Sequence, residues 1–73
     1  MMNTTHQEIA EAASNLLAKS TVRELRQLRV DGSTDRLQLS GRVRSYYHKQ
    51  LAQETVRPAA CGMKMVNRVH VLN

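Results

Sequence analysis

The chain has 73 residues, of which 41% are hydrophobic and only 3% aromatic, with two tyrosines and no phenylalanine or tryptophan. This length allows one small domain with a thin aliphatic core, which excludes a large enzyme active site and leaves little aromatic surface for stacking on bases. Its formal charge of +5 favours anionic partners such as nucleic acid or anionic membranes, although a basic surface is also an ordinary means of staying soluble.

The first predicted element is a helix that begins at Thr5. Thr5 and Glu8 have the spacing of a capping box, in which both side chains accept hydrogen bonds from backbone amides at the helix start. Apolar side chains then follow a helical stripe at Ile9, Ala12, Ala13, Leu16 and Leu17. We therefore predict a flexible tail over residues 1–6 and a single domain over residues 7–73.

A β-hairpin is predicted next. Leu28 and Val30 alternate with an outward Arg29, and the turn formers Gly-Ser-Thr-Asp at residues 32–35 separate them from a second alternating run. The residue at which the first strand begins is not fixed by this pattern, because Leu25 would point to the outward side of the strand. Alternatively, Leu25 and Leu28 share one face of an extended first helix.

The second strand is predicted over residues 36–43, which include the stretch LQLSGRV. Leu37, Leu39 and Val43 share one side of the strand, and Gly41 falls on that apolar side. One interpretation is that a side chain at position 41 would collide with the following helix. The alternative is a simple β-bulge that ends the pairing.

A second helix and a third strand complete the predicted order. Ser45 caps the helix, Pro58 marks its last turn or a kink, and Gly62 is a natural stop. The predicted apolar helix face consists of Tyr47, Leu51, Ala52, Thr55, Val56 and Ala59. In the strand over residues 63–72, one side carries Met65, Asn67, Val69 and Val71 and the other carries Lys64, Val66, Arg68 and His70.

These elements predict an α+β fold in the order αββαβ. The simplest arrangement is a two-layer sandwich, in which both helices pack on one face of a three-stranded sheet.

Catalytic and metal-binding patterns are missing from the sequence. No nucleophile lies in a recognisable strained turn, the three histidines have no ligand-spaced partners, and the three glycines are too far apart to form a phosphate loop. The single Cys61 excludes an internal disulfide. We expect a protein that is not an enzyme and has no cofactor.

The N-terminal residues lack the features of a signal peptide, and no apolar run reaches transmembrane length. The sequence as written therefore predicts a cytoplasmic protein. A periplasmic or envelope location applies if the chain was trimmed from a longer precursor.

Two basic surfaces are predicted as candidate binding sites. The open sheet face would carry Arg29, Arg42, Arg68 and His70, with Gln27, Gln38 and Ser40 among them, and such a cluster can hold phosphates. The start of the second helix would gather Arg42, Arg44, Tyr46, His48 and Lys49, with Tyr46 outward and Tyr47 inward. The plainer interpretation is an ordinary solvated sheet face and a capped helix.

The sequence resembles the BON domain, a family named for bacterial osmotic-stress and nodulation proteins. The resemblance rests on LQLSGRV, on Lys49 with Ala52, and on CGMKMVNRVHV, and its structural positions are Gly41, Gly62, Val66, Asn67, Val69 and Val71. It covers about residues 9–72, although Cys61 and Met63 replace the usual small or valine residues. The resemblance implies a non-enzymatic αββαβ domain that binds phospholipid surfaces or protein partners in bacterial envelopes.

Two other functions compete with this interpretation. A small KH-like nucleic-acid binder would share the basic surface, but the sequence has no GxxG loop to clamp a nucleic-acid backbone. A protein-interaction domain that forms homo-oligomers would use the open edges of the three-stranded sheet.

Overall fold

The structure, a computed structural model, describes residues 5–72. The helices are α1 (His6–Ala18) and α2 (Tyr46–Val56), with short 3-10 helices at Arg23–Gln27 and Arg57–Ala59. The strands are β1 (Arg29–Gly32), β2 (Arg36–Ser40), β3 (Arg42–Val43), β4 (Lys64–Asn67) and β5 (His70–Val71). A three-stranded mixed sheet has the order β1-β2-β4, and β3 pairs with β5 in a small second sheet. The predicted α+β fold class is confirmed.

Helix α1 begins as the capping box predicts. The Thr5 hydroxyl accepts a hydrogen bond from the Glu8 amide at 3.1 Å, and the Glu8 carboxylate accepts one from the Thr5 amide at 2.9 Å. Thr5 is the N-cap and His6 is the first residue of this helix, and residues 1–4 of the predicted tail lie outside the described residues. The buried stripe is narrower than predicted, because Ala12 is exposed.

The segment before β1 is helical rather than extended. Leu25 is buried within the 3-10 helix Arg23–Gln27, and Leu28, directly after it, is buried as well. Residues three apart lie above one another in a 3-10 helix, which explains why both leucines reach the core. The predicted hairpin then follows, with Val30 opposite Leu39 in the antiparallel pair of β1 and β2.

The predicted second strand is interrupted at Gly41. The residues before and after Gly41 nevertheless pair with the last strand in the same register, because Leu37 lies beside Met65 and Val43 lies beside Val71. The amide of His70 donates to the Gly41 carbonyl at 2.8 Å, so the parallel ladder continues through the break. The parallel pairing therefore has no inserted residue at Gly41, whereas the antiparallel pairing with β1 ends directly before it, at Ser40 opposite Arg29.

Gly41 is required by a close approach, but its neighbour differs from the one predicted. The glycine has a φ of +129°, and a Cβ built on it would lie 2.7 Å from Cδ2 of Leu28. The crowding partner is therefore the residue before β1, and the predicted collision with the second helix is wrong.

The core lies between the helices and the inward face of the strands. Its fully buried larger side chains are Leu17, Leu25, Leu37, Leu39, Val43, Val56 and Val69. The alternation predicted for residues 36–43 and for the last strand is confirmed at Leu37, Leu39, Val43 and Val69, which all lie in this core.

Helix α2 begins at the predicted cap, but one residue of its predicted apolar face is wrong. Ala52 and Val56 are buried, whereas Tyr47 is 68% exposed. His48 lies four residues before Ala52, so the histidine takes the inward position in the first turn. The α-helix ends at Val56, and Pro58, which has no amide hydrogen to donate, lies in the 3-10 turn that follows.

Candidate functional site

The four basic residues predicted on the open sheet face are distributed over both sheets: Arg29 begins β1, Arg42 and His70 lie in β3 and β5, and Arg68 lies between β4 and β5. Arg29, Arg42, Arg68 and His70 are all exposed. Arg42 lies beside His70 in the pairing of β3 with β5, and Arg29 lies opposite Ser40 in the hairpin. Arg29 also has a neighbouring carboxylate, since its Nε lies 3.9 Å from Oδ2 of Asp31. Part of the positive charge on this face is therefore balanced locally.

The second predicted surface, at the start of α2, exposes large apolar side chains beside its basic residues, which an ordinary polar surface does not. Arg44 is exposed and Lys49 is half-buried. Tyr46 is 74% exposed, as predicted, and Tyr47 joins it on the outside. Within residues 5–72 the exposed large apolar side chains are these two tyrosines and Leu72, which is 41% exposed.

Glu24 connects the 3-10 helix Arg23–Gln27 to the start of α2. Its Oε1 accepts a hydrogen bond from the backbone amide of Arg44 at 2.6 Å, across 20 residues of sequence. Its Oε2 lies 3.3 Å from Nδ1 of His48, without the alignment of a hydrogen bond. Both side chains are largely covered, at 28% and 25% exposure. Glu24 thus holds the segment before α2 against the 3-10 helix.

The first turn of α2 is capped by the protein itself. The Ser45 hydroxyl accepts a hydrogen bond from the His48 amide at 3.1 Å, as expected for a serine cap. Ser45 and Glu24 thus satisfy the backbone amides of His48 and Arg44. The exposed side chain of Arg44 remains available to an anion at this end.

A groove of about 580 Å³ lies next to this helix start. Its walls come from the 3-10 helix Arg23–Gln27, from β3 with the residue after it, and from the end of the chain. The lining residues are Val22, Arg23, Glu24, Gln27, Arg42, Val43, Arg44 and Leu72. The groove therefore brings three arginines together with the accessible apolar side chains of Val22 and Leu72.

Three arginines outside the groove have carboxylate partners, whereas Arg26 and Arg68, like the groove arginines, form no ion pair within residues 5–72. Arg29, Arg36 and Arg57 each have a carboxylate within 4 Å, supplied by Asp31, Asp35 and Glu54 respectively. In the part of the chain that the structure describes, the side chains of Arg23, Arg42 and Arg44 form no ion pair. Glu24 shares the groove, but its oxygens face the Arg44 amide and the His48 ring. The groove keeps its guanidinium groups available for an external anion.

The sequence identified only part of this arrangement. Arg42, Arg44, Tyr46 and Lys49 were candidates, whereas Val22, Arg23 and Leu72 were not. Their approach depends on the 3-10 helix, which brings Arg23 beside β3, and on the last strand, which brings Leu72 beside Val43 through a 2.8 Å backbone hydrogen bond. No local spacing in the sequence indicates either contact.

The positions of the BON resemblance lie mainly along the last strand and its approach. Val69 is buried, Val66 and Val71 are half-buried, and Gly62 has a φ of +80° in the turn before β4. Asn67, at the end of β4, accepts a hydrogen bond from the Val69 amide at 3.1 Å. A smaller hollow of about 370 Å³ lies near this turn, between Gln53 and Met65.

Comparisons with known proteins leave the family open. The chain matches no family model and no curated protein sequence. None of the helices in residues 5–72 combines the length and the apolar character required to cross a bilayer.

Proposed function

We propose that this protein is a non-enzymatic binding module for anionic phospholipid surfaces, and that it binds through the arginine–tyrosine surface formed by Arg42, Arg44, Tyr46 and Tyr47. The observation that carries the proposal is the exposure of both tyrosines directly after two exposed arginines that form no ion pair within residues 5–72.

The chemistry of these residues suits the boundary between lipid headgroups and acyl chains. Tyrosine is enriched at that boundary because its ring is largely apolar and its hydroxyl stays hydrated. Arginine binds phosphate through paired hydrogen bonds from a planar group, and the charge of +5 attracts the protein to an anionic surface over a short range. Each contact is weak alone, so binding depends on several of them together.

The resemblance to the BON domain points in the same direction, because that family is associated with phospholipid surfaces and protein contacts. The match of LQLSGRV and CGMKMVNRVHV is the sequence support for the proposal. The envelope location implied by the family belongs to the proposal as well.

Vesicle flotation tests the proposal. The protein is mixed with vesicles of phosphatidylcholine alone or with vesicles that also contain phosphatidylglycerol, whose anionic headgroups attract basic segments. We expect binding to the anionic vesicles at near-physiological salt. The variant with both Tyr46→Ser and Tyr47→Ser should lose most of this binding while remaining folded.

A matched pair of charge variants separates surface chemistry from net charge. Arg42→Gln with Arg44→Gln removes two charges from the proposed surface, and Arg29→Gln with Arg36→Gln removes two charges elsewhere. Only the first pair should release the protein from anionic vesicles. Equal losses from both pairs, or a full loss of binding at physiological salt in the unmodified protein, would contradict a dedicated lipid-binding surface.

Single-stranded RNA in the same titration tests the KH-like alternative. Salt-resistant, localised binding of RNA with no binding of vesicles would replace the lipid proposal. If the protein binds neither vesicles nor RNA but forms a dimer as its concentration rises, that result would instead favour association through a sheet edge.

A further inference from the structure

We infer that the groove beside α2 holds the phosphate headgroup of a single anionic lipid, so that the protein captures one lipid molecule in addition to resting on the surface. This inference rests on the proposed function, because it names the ligand class that the same end of the molecule takes.

The polar side of the groove fits a phosphate. Arg23 belongs to the 3-10 helix, Arg42 belongs to β3 and Arg44 follows that strand, so the arginines that line the groove come from two separate parts of the chain. Guanidinium groups donate paired hydrogen bonds to phosphate oxygens, and the side-chain amide of Gln27 adds a further donor. Within residues 5–72 no carboxylate forms an ion pair with these three arginines, so a ligand displaces no internal ion pair.

The apolar side of the groove favours a lipid over a free phosphate. Its accessible apolar side chains are those of the half-buried Val22 and of Leu72, which is 41% exposed, whereas the Val43 side chain belongs to the core. The volume of about 580 Å³ lies within the range of small-molecule sites, roughly 300–1,000 Å³, so one headgroup and its glycerol would fit. Covering Leu72 with the first carbons of an acyl chain would remove apolar surface from water.

Glu24 leaves the groove positive although it lies in its wall. Its carboxylate accepts the Arg44 amide at 2.6 Å and lies 3.3 Å from the ring of His48. These contacts hold the carboxylate on the side of the groove that faces α2. Arg23 is next to Glu24 on the same 3-10 helix, and its guanidinium group forms no ion pair with this carboxylate.

The test uses a lipid that does not need a membrane. Dihexanoyl phosphatidic acid is titrated below its micelle concentration into isotope-labelled protein, and amide shifts are followed by NMR. We expect saturable shifts at the groove residues. Inorganic phosphate, titrated in parallel, should bind at the same residues at least about tenfold more weakly, because it cannot use the apolar side.

Arg23→Gln has a closely matched control in Arg26→Gln. Both arginines lie on the same 3-10 helix and both are exposed, but only Arg23 lines the groove. Arg23→Gln should weaken binding of the soluble lipid about tenfold, the effect of losing a charge-assisted hydrogen bond, and Arg26→Gln should change it less than about twofold. Unchanged amide shifts away from the groove check that each variant is folded.

Leu72→Ala tests the apolar side separately. This substitution should weaken binding of the soluble lipid severalfold and leave the binding of inorganic phosphate unchanged. Equal binding of lipid and phosphate in the unmodified protein would overturn the lipid assignment.

The groove site and the proposed vesicle binding can be tested independently of each other. If anionic vesicles bind but the soluble lipid shifts no groove amide, or if Arg23→Gln and Arg26→Gln behave alike, the groove site is wrong and surface binding remains. If neither vesicles nor soluble lipid binds, both proposals are wrong.

Discussion

The side-chain amide of Asn67 donates a hydrogen bond to the backbone carbonyl of Lys49 at 2.9 Å, which ties the end of β4 to helix α2. The same amide nitrogen lies 3.3 Å from Oε1 of Gln53, one helical turn further along. The Asn67 side-chain oxygen accepts the amide of Val69. One side chain thus holds the interrupted last strand against the helix whose first turn carries the tyrosines.

Asn67→Ala is expected to destabilise the fold by about 1–3 kcal/mol. The substitution leaves the amide of Val69 without its side-chain acceptor and removes the link to Lys49. Urea unfolding measures the change in free energy. Gln53→Ala, which removes only the longer contact, is the control and should cost less than about 1 kcal/mol. Equal losses in the two variants would mean that Asn67 has no special role in joining strand and helix.

Gly41→Ala is expected to lower the free energy of unfolding by more than about 2 kcal/mol, because it adds backbone strain to a collision. The φ of +129° is one that side-chain-bearing residues rarely adopt, and the new Cβ would lie 2.7 Å from Cδ2 of Leu28. Gly62→Ala provides the comparison. Gly62 also has a positive φ, of +80°, but a Cβ there would meet nothing within 4 Å.

The Gly62→Ala substitution should therefore lower the free energy of unfolding only by the cost of a positive φ, about 1 kcal/mol. Thermal or urea unfolding of both variants measures the difference. Similar losses at the two positions would show that Leu28 moves aside and that conformation alone selects glycine at position 41.

The sequence predicted those parts of the fold that depend on neighbours along the chain. The capping box at Thr5 and the alternation through Leu37 and Leu39 require only local geometry, and both appear in the structure. Gly41 was recognised as a special position for the same reason, since it breaks a regular pattern. Its neighbour Leu28 was not predicted, because that contact is set by how the segment before β1 packs.

The candidate site was predicted less completely, because it is assembled from distant segments. Arg44 and Tyr46 lie two positions apart in the sequence and were predicted in the same surface. Arg23 and Leu72 join them only through tertiary contacts, and Tyr47 was placed inside because its spacing fits the helix face. In the structure the first inward position is taken by His48, which packs against Glu24.

Glu24→Ala is expected to destabilise the protein by about 1 kcal/mol, since it removes the acceptor of the Arg44 amide. Glu24→Gln keeps a side-chain oxygen and should recover most of that loss. Glu54→Ala is the control, because Glu54 pairs with Arg57 on the surface at 2.9 Å and such exposed pairs contribute less than about 1 kcal/mol. Urea unfolding of the three variants tests this ranking. A loss from Glu24→Gln as large as that from Glu24→Ala would indicate that the charge beside His48, rather than the hydrogen bond, is what matters.

Reversing the charges of Arg42 and Arg68 together is expected to abolish binding to anionic vesicles and to leave the fold intact, because both side chains are exposed. The single reversals distinguish the two basic surfaces. Arg42 lines the groove and was also predicted on the open sheet face, whereas Arg68 was predicted only on the sheet face. If the arginine–tyrosine surface carries the binding, Arg42→Glu alone should cause most of the loss, and Arg68→Glu should weaken binding only slightly because it lowers the net charge.

Flotation with anionic vesicles at two salt concentrations measures both effects, since the contribution of net charge to binding becomes smaller as salt screens it. Equal losses from the two single variants would place the lipid on the open sheet face, and unchanged binding in the double variant would contradict a role for either surface.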